Sequence, residues 1–244
     1  MAQQHGDHPT PRTYLTRHAD VGDSRAAAVA TRIRHDIVAA GWPVGSVLGS
    51  EPELLERYGV SRPVLREAGR ILESQRVARM RRGPRGGLVV LEPDGSALAD
   101  AAALYLEYLD VDPSFVHEAR VSIELTCAER AASRVSEADI ERLRALVRDE
   151  PARLSGDRGL DVQNFHVLVA ELSGNPVLHL FVGMLTTLTR QRAADDIDRL
   201  MREDPRRQTV HHDHERITEA IAAGDAALAR HRMQRHLVSP PVED

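Results

Sequence analysis

The stretch from Gly49 to Glu73, GSEPELLERYGVSRPVLREAGRILE, leaves the chain little conformational freedom. Ser50 followed three residues on by Glu53 is a capping box, and Pro52 is tolerated beside it because a first-turn amide has no intrahelical acceptor to lose. A short helix carrying Leu54, Leu55 and Tyr58 therefore begins here. Gly59, which takes the left-handed conformation most readily, ends it. Ser61 caps a second helix with Pro63 in its first turn, so only about three residues separate the two helices, the spacing of a helix-turn-helix. At about 100° per residue, Val64, Leu65, Ala68, Ile71 and Leu72 share one sector of the second helix, and Arg62, Arg66 and Arg70 share another. Taken alone, that arginine stripe reads as a solvated face of an amphipathic helix.

The residues that follow favour nucleic acid. Val77 to Arg82, Gly83 to Gly87 and Leu88 to Leu91 read as strand, tight turn and strand, a basic β-wing. Between Ser61 and Arg85 eight arginines oppose two glutamates, a local net charge of +6, and phosphate is the partner such a surface suits. Arg62 lies in the first turn of the second helix, the part that enters a major groove, and Arg66 can set a bidentate fork on guanine edges or phosphates. Ser61, Arg70, Arg81, Arg82, Gly83 and Arg85 complete the expected DNA-binding set. Residues 1–91 hold 14 Arg against 9 Asp and Glu (+5) and residues 92–244 hold 18 against 28 (−10), which together give the overall −5. A basic head on an acidic body suits a protein that grips nucleic acid with one part only.

Ser50-Glu51-x-Glu53-Leu54, Tyr58-Gly59-Val60-Ser61-Arg62, Val64-x-Arg66-Glu67-Ala68 and the glycine-rich turn resemble the winged helix-turn-helix of GntR-type bacterial transcription regulators. The likeness runs from about Ala27 to Leu91. Three positions depart from the family pattern: Gly49 stands for the usual proline, Pro52 for a common DNA-contacting arginine, and Gly69 for leucine. Pro52 removes one expected contact, so operator preference does not carry over from relatives.

Residues 1–24 are polar and aperiodic, as expected of a disordered arm with solvated His5, His8 and His18. Ala27, Ala30, Ile33, Ile37 and Val38 recur at helical spacing and predict a first helix from Arg25 to Ala40, with Val47 and Leu48 extended beside the wing. Beyond a polar linker the periods are helical: Ala97–Leu109, Pro113–Arg134, Glu137–Leu154, Leu160–Leu172, Pro176–Arg202, Pro205–Ala223 and Ala226–Val238, an antiparallel bundle. The expected architecture is mainly α. It comprises a disordered arm (1–24), a winged helix-turn-helix DNA-binding domain (25–91), a linker (92–97), an all-helical effector-binding and dimerisation domain (98–238) and a tail (239–244). The single Cys127 excludes an intrachain disulfide and is expected to pack as a small apolar residue. Neither a bilayer-length apolar run nor a signal-peptide core is present, so a cytoplasmic location without a membrane partner is expected.

His166, His214 and His236 fall on three different predicted helices, where side chains of facing helices can converge on a metal; solvated or core imidazoles are the alternative. His211, His212, His117, His179 and His231 are expected to face solvent. Arg120 and Glu124 read as an exposed i,i+4 pair worth a few tenths of a kcal/mol. Glu118-Ala119-Arg120-x-x-x-Glu124, Asn164-Phe165-His166, Ser173-Gly174-Asn175-Pro176-x-Leu178, His214-x-x-Ile217-x-x-Ala220-Ile221-x-x-Gly224-Asp225 and Met233-x-x-His236-Leu237 resemble the FCD effector domain of FadR-like GntR regulators. This resemblance implies metal ligation by the three histidines, with imidazole suiting zinc or nickel. It also implies an effector site including Arg120, Glu124 and Asn175, with the arginine taking a carboxylate. The family's usual fourth ligand is an aspartate four residues before the first histidine. Val162 occupies that position, and Asp161, five residues before His166, is rotated about 140° from it on a helix. Weaker metal binding than in relatives is expected, with water or an effector carboxylate completing the shell.

The combined reading is a homodimeric, one-component transcriptional regulator, a repressor that binds a palindromic DNA operator and responds to a small-molecule carboxylate. Two other classes are open to such a chain. Three histidines with an open position could activate water in a metal-dependent helical enzyme, and a helical bundle could serve as an interaction scaffold. The enzyme reading lacks a His-Glu-x-x-His, a nucleophile elbow, a phosphate loop or a dinucleotide turn. The scaffold reading leaves the basic wing unexplained, so the expectation is a regulator and not an enzyme.

Overall fold

A computed structural model describes residues 24–83, 86–93, 95–154, 163–201 and 204–238, and the chain divides into two compact units, Met1–Asp94 and Gly95–Asp244. The expected arm, the tail, Arg85 in the wing turn, and Asp161 and Val162 lie outside the described residues.

In the first unit the Ser24 hydroxyl accepts from the Ala27 N–H at 3.1 Å and starts α1 (Arg25–Ala39). Its Val29, Ala30, Ile33 and Ile37 are buried, whereas Val38, read as part of the same stripe, is 57% exposed. α2 (Glu51–Tyr58) begins as its capping box requires, with the Ser50 N–H donating to the Glu53 carboxylate at 2.7 Å. Gly59 ends it at φ 63°, and α3 (Arg62–Ser74) starts after Ser61. α3 lays Leu65, Ala68 and Leu72 against α1, so the apolar sector of the sequence is the packed one. β1 (Ala78–Arg81) and β2 (Gly87–Val90) pair antiparallel, with Met80 opposite Leu88. Residues 46–49 line the outer side of β2 through Leu48 N–H to Leu88 O at 2.8 Å and Val90 N–H to Ser46 O at 3.0 Å. Gly87 is needed at this crossing: at φ 150° a Cβ on it would meet the Gly49 carbonyl oxygen at 2.4 Å, a contact that no L-residue could make.

The second unit is a bundle of α4 (Ser96–Tyr108), α5 (Pro113–Ala132), α6 (Glu137–Leu154), α7 (Gln163–Leu172), α8 (Pro176–Met201), α9 (Asp204–Ala222) and α10 (Ala226–Val238). α4 begins at Ser96, inside the segment read as linker. The Asp112 carboxylate caps α5 by accepting from Ser114 N–H at 2.8 Å. Leu143, Phe165, Ile217, Ile221 and Met233, from α6, α7, α9 and α10, pack with Leu125, Cys127 and Ala128 of α5 into one core. Cys127 is 1% exposed, and burial pushes its thiol up to about 12. Among the described residues no helix is long and apolar enough to cross a membrane.

Candidate nucleic-acid interface and metal centre

The face of α3 opposite its core stripe carries Arg62, Arg66 and Arg70, whose side chains are 71%, 68% and 79% exposed. Ser61 stands exposed just before them, and Arg81, Arg82 and Gly83 are exposed at the end of β1. A groove between α3 and the wing is bounded by Ser50, Pro52, Arg66, Arg70, Arg81 and Arg82. Pro52, which departs from the family pattern the sequence resembles, opens onto this same groove. Sequence spacing gave no sign of one participant. Glu51, in the first turn of α2, brings Oε1 to 3.9 Å from Nε of both Arg62 and Arg66. That oxygen is buried and accepts no hydrogen bond. At this distance the carboxylate biases two long, flexible side chains toward one orientation without occupying their donors, which remain free for phosphate or base edges.

In the second unit the structure brings His166 of α7, His214 of α9 and His236 of α10 together, their ligand nitrogens all within 4.8 Å of one another. Each ring is held from behind by a carboxylate. His166 Nδ1 bonds Glu124 of α5 at 2.5 Å, His214 Nδ1 bonds Glu150 of α6 at 2.6 Å, and His236 Nδ1 faces Asp213 at 3.4 Å. An Nδ1–H donated to a carboxylate leaves the lone pair on Nε2, and such carboxylate–histidine pairs both orient an imidazole and raise its basicity toward a cation. The Nε2 atoms of His214 and His236 approach to 3.2 Å. Phe165 stacks on His214 with ring centroids 3.9 Å apart and fixes its plane.

Burial keeps His166 and His214 in the neutral form, the form that binds a metal. Burial pushes His166 down to about 4, against the opposing pull of Glu124. Burial, reinforced by His236 and His166, holds His214 well below the ordinary histidine range. For Glu124 burial alone acts upward, but His166 and Arg120 outweigh it and hold it at about 2. The hydrogen bond from His236 lowers Asp213. Three imidazoles around one point, each with a carboxylate behind it, form a donor set that fits a first-row divalent cation.

Arg120 and Glu124 are not the exposed pair that their spacing suggested. Their side chains are 9% and 2% exposed and meet at 2.5 Å, which sets the guanidinium beside the carboxylate that holds His166. The Asn175 Oδ1 accepts from Val177 N–H at 3.0 Å and Leu178 N–H at 3.4 Å and caps α8. His211, expected in solvent, bonds Glu150 at 3.1 Å and so shares the carboxylate behind His214. Glu150 was missed in the sequence, since an acid in an amphipathic helix looks like any solvated one.

Residues 25–90 match the family model of bacterial regulatory proteins, gntR family, and residues 116–239 match that of the FCD domain. The chain is 32% identical over 217 residues to an uncharacterized HTH-type transcriptional regulator, YcbG of Bacillus subtilis, covering 87% of this chain and 86% of that one. It is 31% identical over 225 residues to a putative L-lactate dehydrogenase operon regulatory protein of Escherichia coli, covering 86% and 82%. It is also 30% identical over 204 residues to the HTH-type transcriptional regulator LutR of Bacillus subtilis, covering 82% and 91%. Among solved structures it resembles a Streptococcus agalactiae GntR protein in fold, with a TM-score of 0.65 at 24% identity over 88% of this chain and 98% of the other.

Proposed function

This chain belongs to the GntR family of bacterial regulatory proteins, with an FCD domain in its second unit, and we propose that it is a homodimeric, cytoplasmic repressor released from a palindromic operator by a small carboxylate. That it is a DNA-binding transcription regulator and not an enzyme follows from the family. The observation that carries the finer reading is the joint placement of Arg120 and the three histidines. A guanidinium buried 2.5 Å from the carboxylate behind His166 adjoins three convergent imidazoles, a setting suited to an anion bound beside a cation. His166, His214 and His236 would hold zinc or nickel, which supplies a Lewis-acidic point for a carboxylate oxygen. Arg120 orients that carboxylate, and Glu124, Glu150 and Asp213 keep the imidazoles aimed. The relative named for the L-lactate dehydrogenase operon points in the same direction, because lactate is itself a carboxylate.

On the DNA side, Arg62 and Arg66 read base edges while Ser61, Arg70 and the wing residues Arg81, Arg82, Gly83 and Arg85 hold phosphates. A winged unit of this size gains tight, specific binding only through a second copy on a paired half-site. Supporting a dimer through residues 95–238, Leu104, Tyr108, Phe115 and Leu180, on α4, α5 and α8, are 70%, 73%, 57% and 44% exposed, an apolar set that a second copy would cover. Ligand shifts operator affinity only as far as it binds the DNA-competent and incompetent arrangements differently.

Selection of bound sequences from random DNA, followed by footprinting with and without candidate carboxylates, tests this. An inverted repeat protected by a dimer, and lost on adding zinc with lactate or another small hydroxy acid, is expected. A non-repeated site bound by a monomer, or an occupancy that no metal or carboxylate changes, would overturn the repressor reading.

A further inference from the structure

A second pocket, of about 510 Å³, lies along α9 and is lined by Arg144, Val147 and Arg148 of α6, Glu215, Arg216, Thr218 and Glu219 of α9, and Arg232 of α10. Its size is in the range of small-molecule sites. None of these residues is a histidine of the cluster or a carboxylate that holds one.

Its charge is unbalanced toward cation. Both acids are engaged: Glu219 takes Nε and Nη2 of Arg144 at 3.2 Å each, and Glu215 lies 3.6 Å from His211 and 3.5 Å from His212. Arg148 and Arg232 line the pocket with no carboxylate at ion-pair distance among the described residues. Arg232 is anchored through one arm only, its Nη1 donating to the Arg216 carbonyl, while its Nε is buried with no hydrogen-bond partner. Thr218, 2% exposed, presents a buried hydroxyl that also has no partner. A charged donor and a hydroxyl left unpaired at one concavity cost stability unless something there accepts from them.

We propose that this pocket binds a small oxyanion carrying two negative charges, with Arg148 and Arg232 supplying charged donors and Thr218, also in its lining, a neutral one. The bidentate geometry of guanidinium matches phosphate and carboxylate oxygens equally. A phosphate ester and a dicarboxylate are therefore the two sources of this chemistry. The site is separate from the one proposed at the histidines and does not require a metal.

Isothermal titration of the full chain, treated with chelator and held at constant ionic strength, uses inorganic phosphate in one arm and succinate in the other. Saturable binding of one anion per chain is expected, and the tighter of the two identifies the source. Arg148→Gln and Arg232→Gln should each weaken it by about tenfold or more, the loss of one charge-assisted hydrogen bond. Thr218→Val, nearly isosteric, should weaken it several-fold while leaving the circular-dichroism melt cooperative. His236→Gln should leave it unchanged, which separates this pocket from the histidine centre. Absence of saturable binding by either anion, binding that survives both arginine substitutions, or binding lost with His236→Gln alone would each overturn the assignment.

Discussion

Lowering the pH of the metal-free protein from 7.5 to 5 should destabilise it through His166, by an amount the structure sets. The ring is 4% exposed, and burial lowers its pKa from the ordinary 6.5 to about 4. The unfolded chain then binds more protons than the folded one between those two values, so stability is full above about pH 6.5 and falls as pH drops toward 4. With one site at 6.5 unfolded and about 4 folded, the loss between pH 7.5 and pH 5 is about 2 kcal/mol. His214, also depressed by burial and neighbouring histidines, acts in the same direction. Urea unfolding of chelator-treated protein at pH 7.5, 6 and 5 reads this as a falling midpoint at constant slope. Because other groups titrate in the same window, the decisive comparison is with His166→Asn, whose stability should fall by about 2 kcal/mol less over the interval. An identical pH dependence in the two proteins would show that His166 is not held neutral by burial, and the argument for a preformed neutral donor set would fail with it.

Other outcomes follow from each of the two units. Arg66→Ala should cost about 1–3 kcal/mol on a selected operator and far less on random DNA, and equal losses on both would remove it from base recognition. Substituting Arg81 or Arg82 with alanine should reduce the slope of log affinity against log salt by about one unit each; an unchanged slope would place the wing off the DNA. Glu150 lies 2.6 Å from His214 and 3.1 Å from His211, and Glu150→Gln should weaken zinc binding about 10–100-fold in a competition with a chromophoric chelator. Unaltered zinc affinity would mean that the carboxylate does not tune the site. Gly69 lies inside α3 and a Cβ there would meet only Met80 Cγ, at 3.6 Å, so Gly69→Ala should stabilise the protein by about 0.5–1 kcal/mol; a lower urea midpoint would show hidden crowding.

The winged unit could be read from the sequence because its determinants are local. The capping box from Ser50 to Glu53, the left-handed Gly59 and the arginine register of α3 each act within one or two turns of helix, and all three occur as the spacing required. The helices of the second unit were legible for the same reason, since Asp112 sets a boundary through its own carboxylate and Gly174 and Gly224 through their left-handed backbones. The histidine centre was visible only as residue types, together with a family likeness. Its geometry depends on contacts between residues far apart in the chain: Glu124 with His166, 42 positions apart, Glu150 with His214, 64 apart, and Asp213 with His236, 23 apart. Helical periodicity states which face of its own helix a side chain occupies, but not which helix that face meets. Burial of the Arg120–Glu124 pair, the approach of Glu51 to two exposed arginines of α3 and the unpaired donors of Thr218 and Arg232 were therefore decided by packing. Burial also sets the ionisation of His166 and His214, because the desolvation that keeps an imidazole neutral arises from surrounding helices and not from its neighbours in sequence.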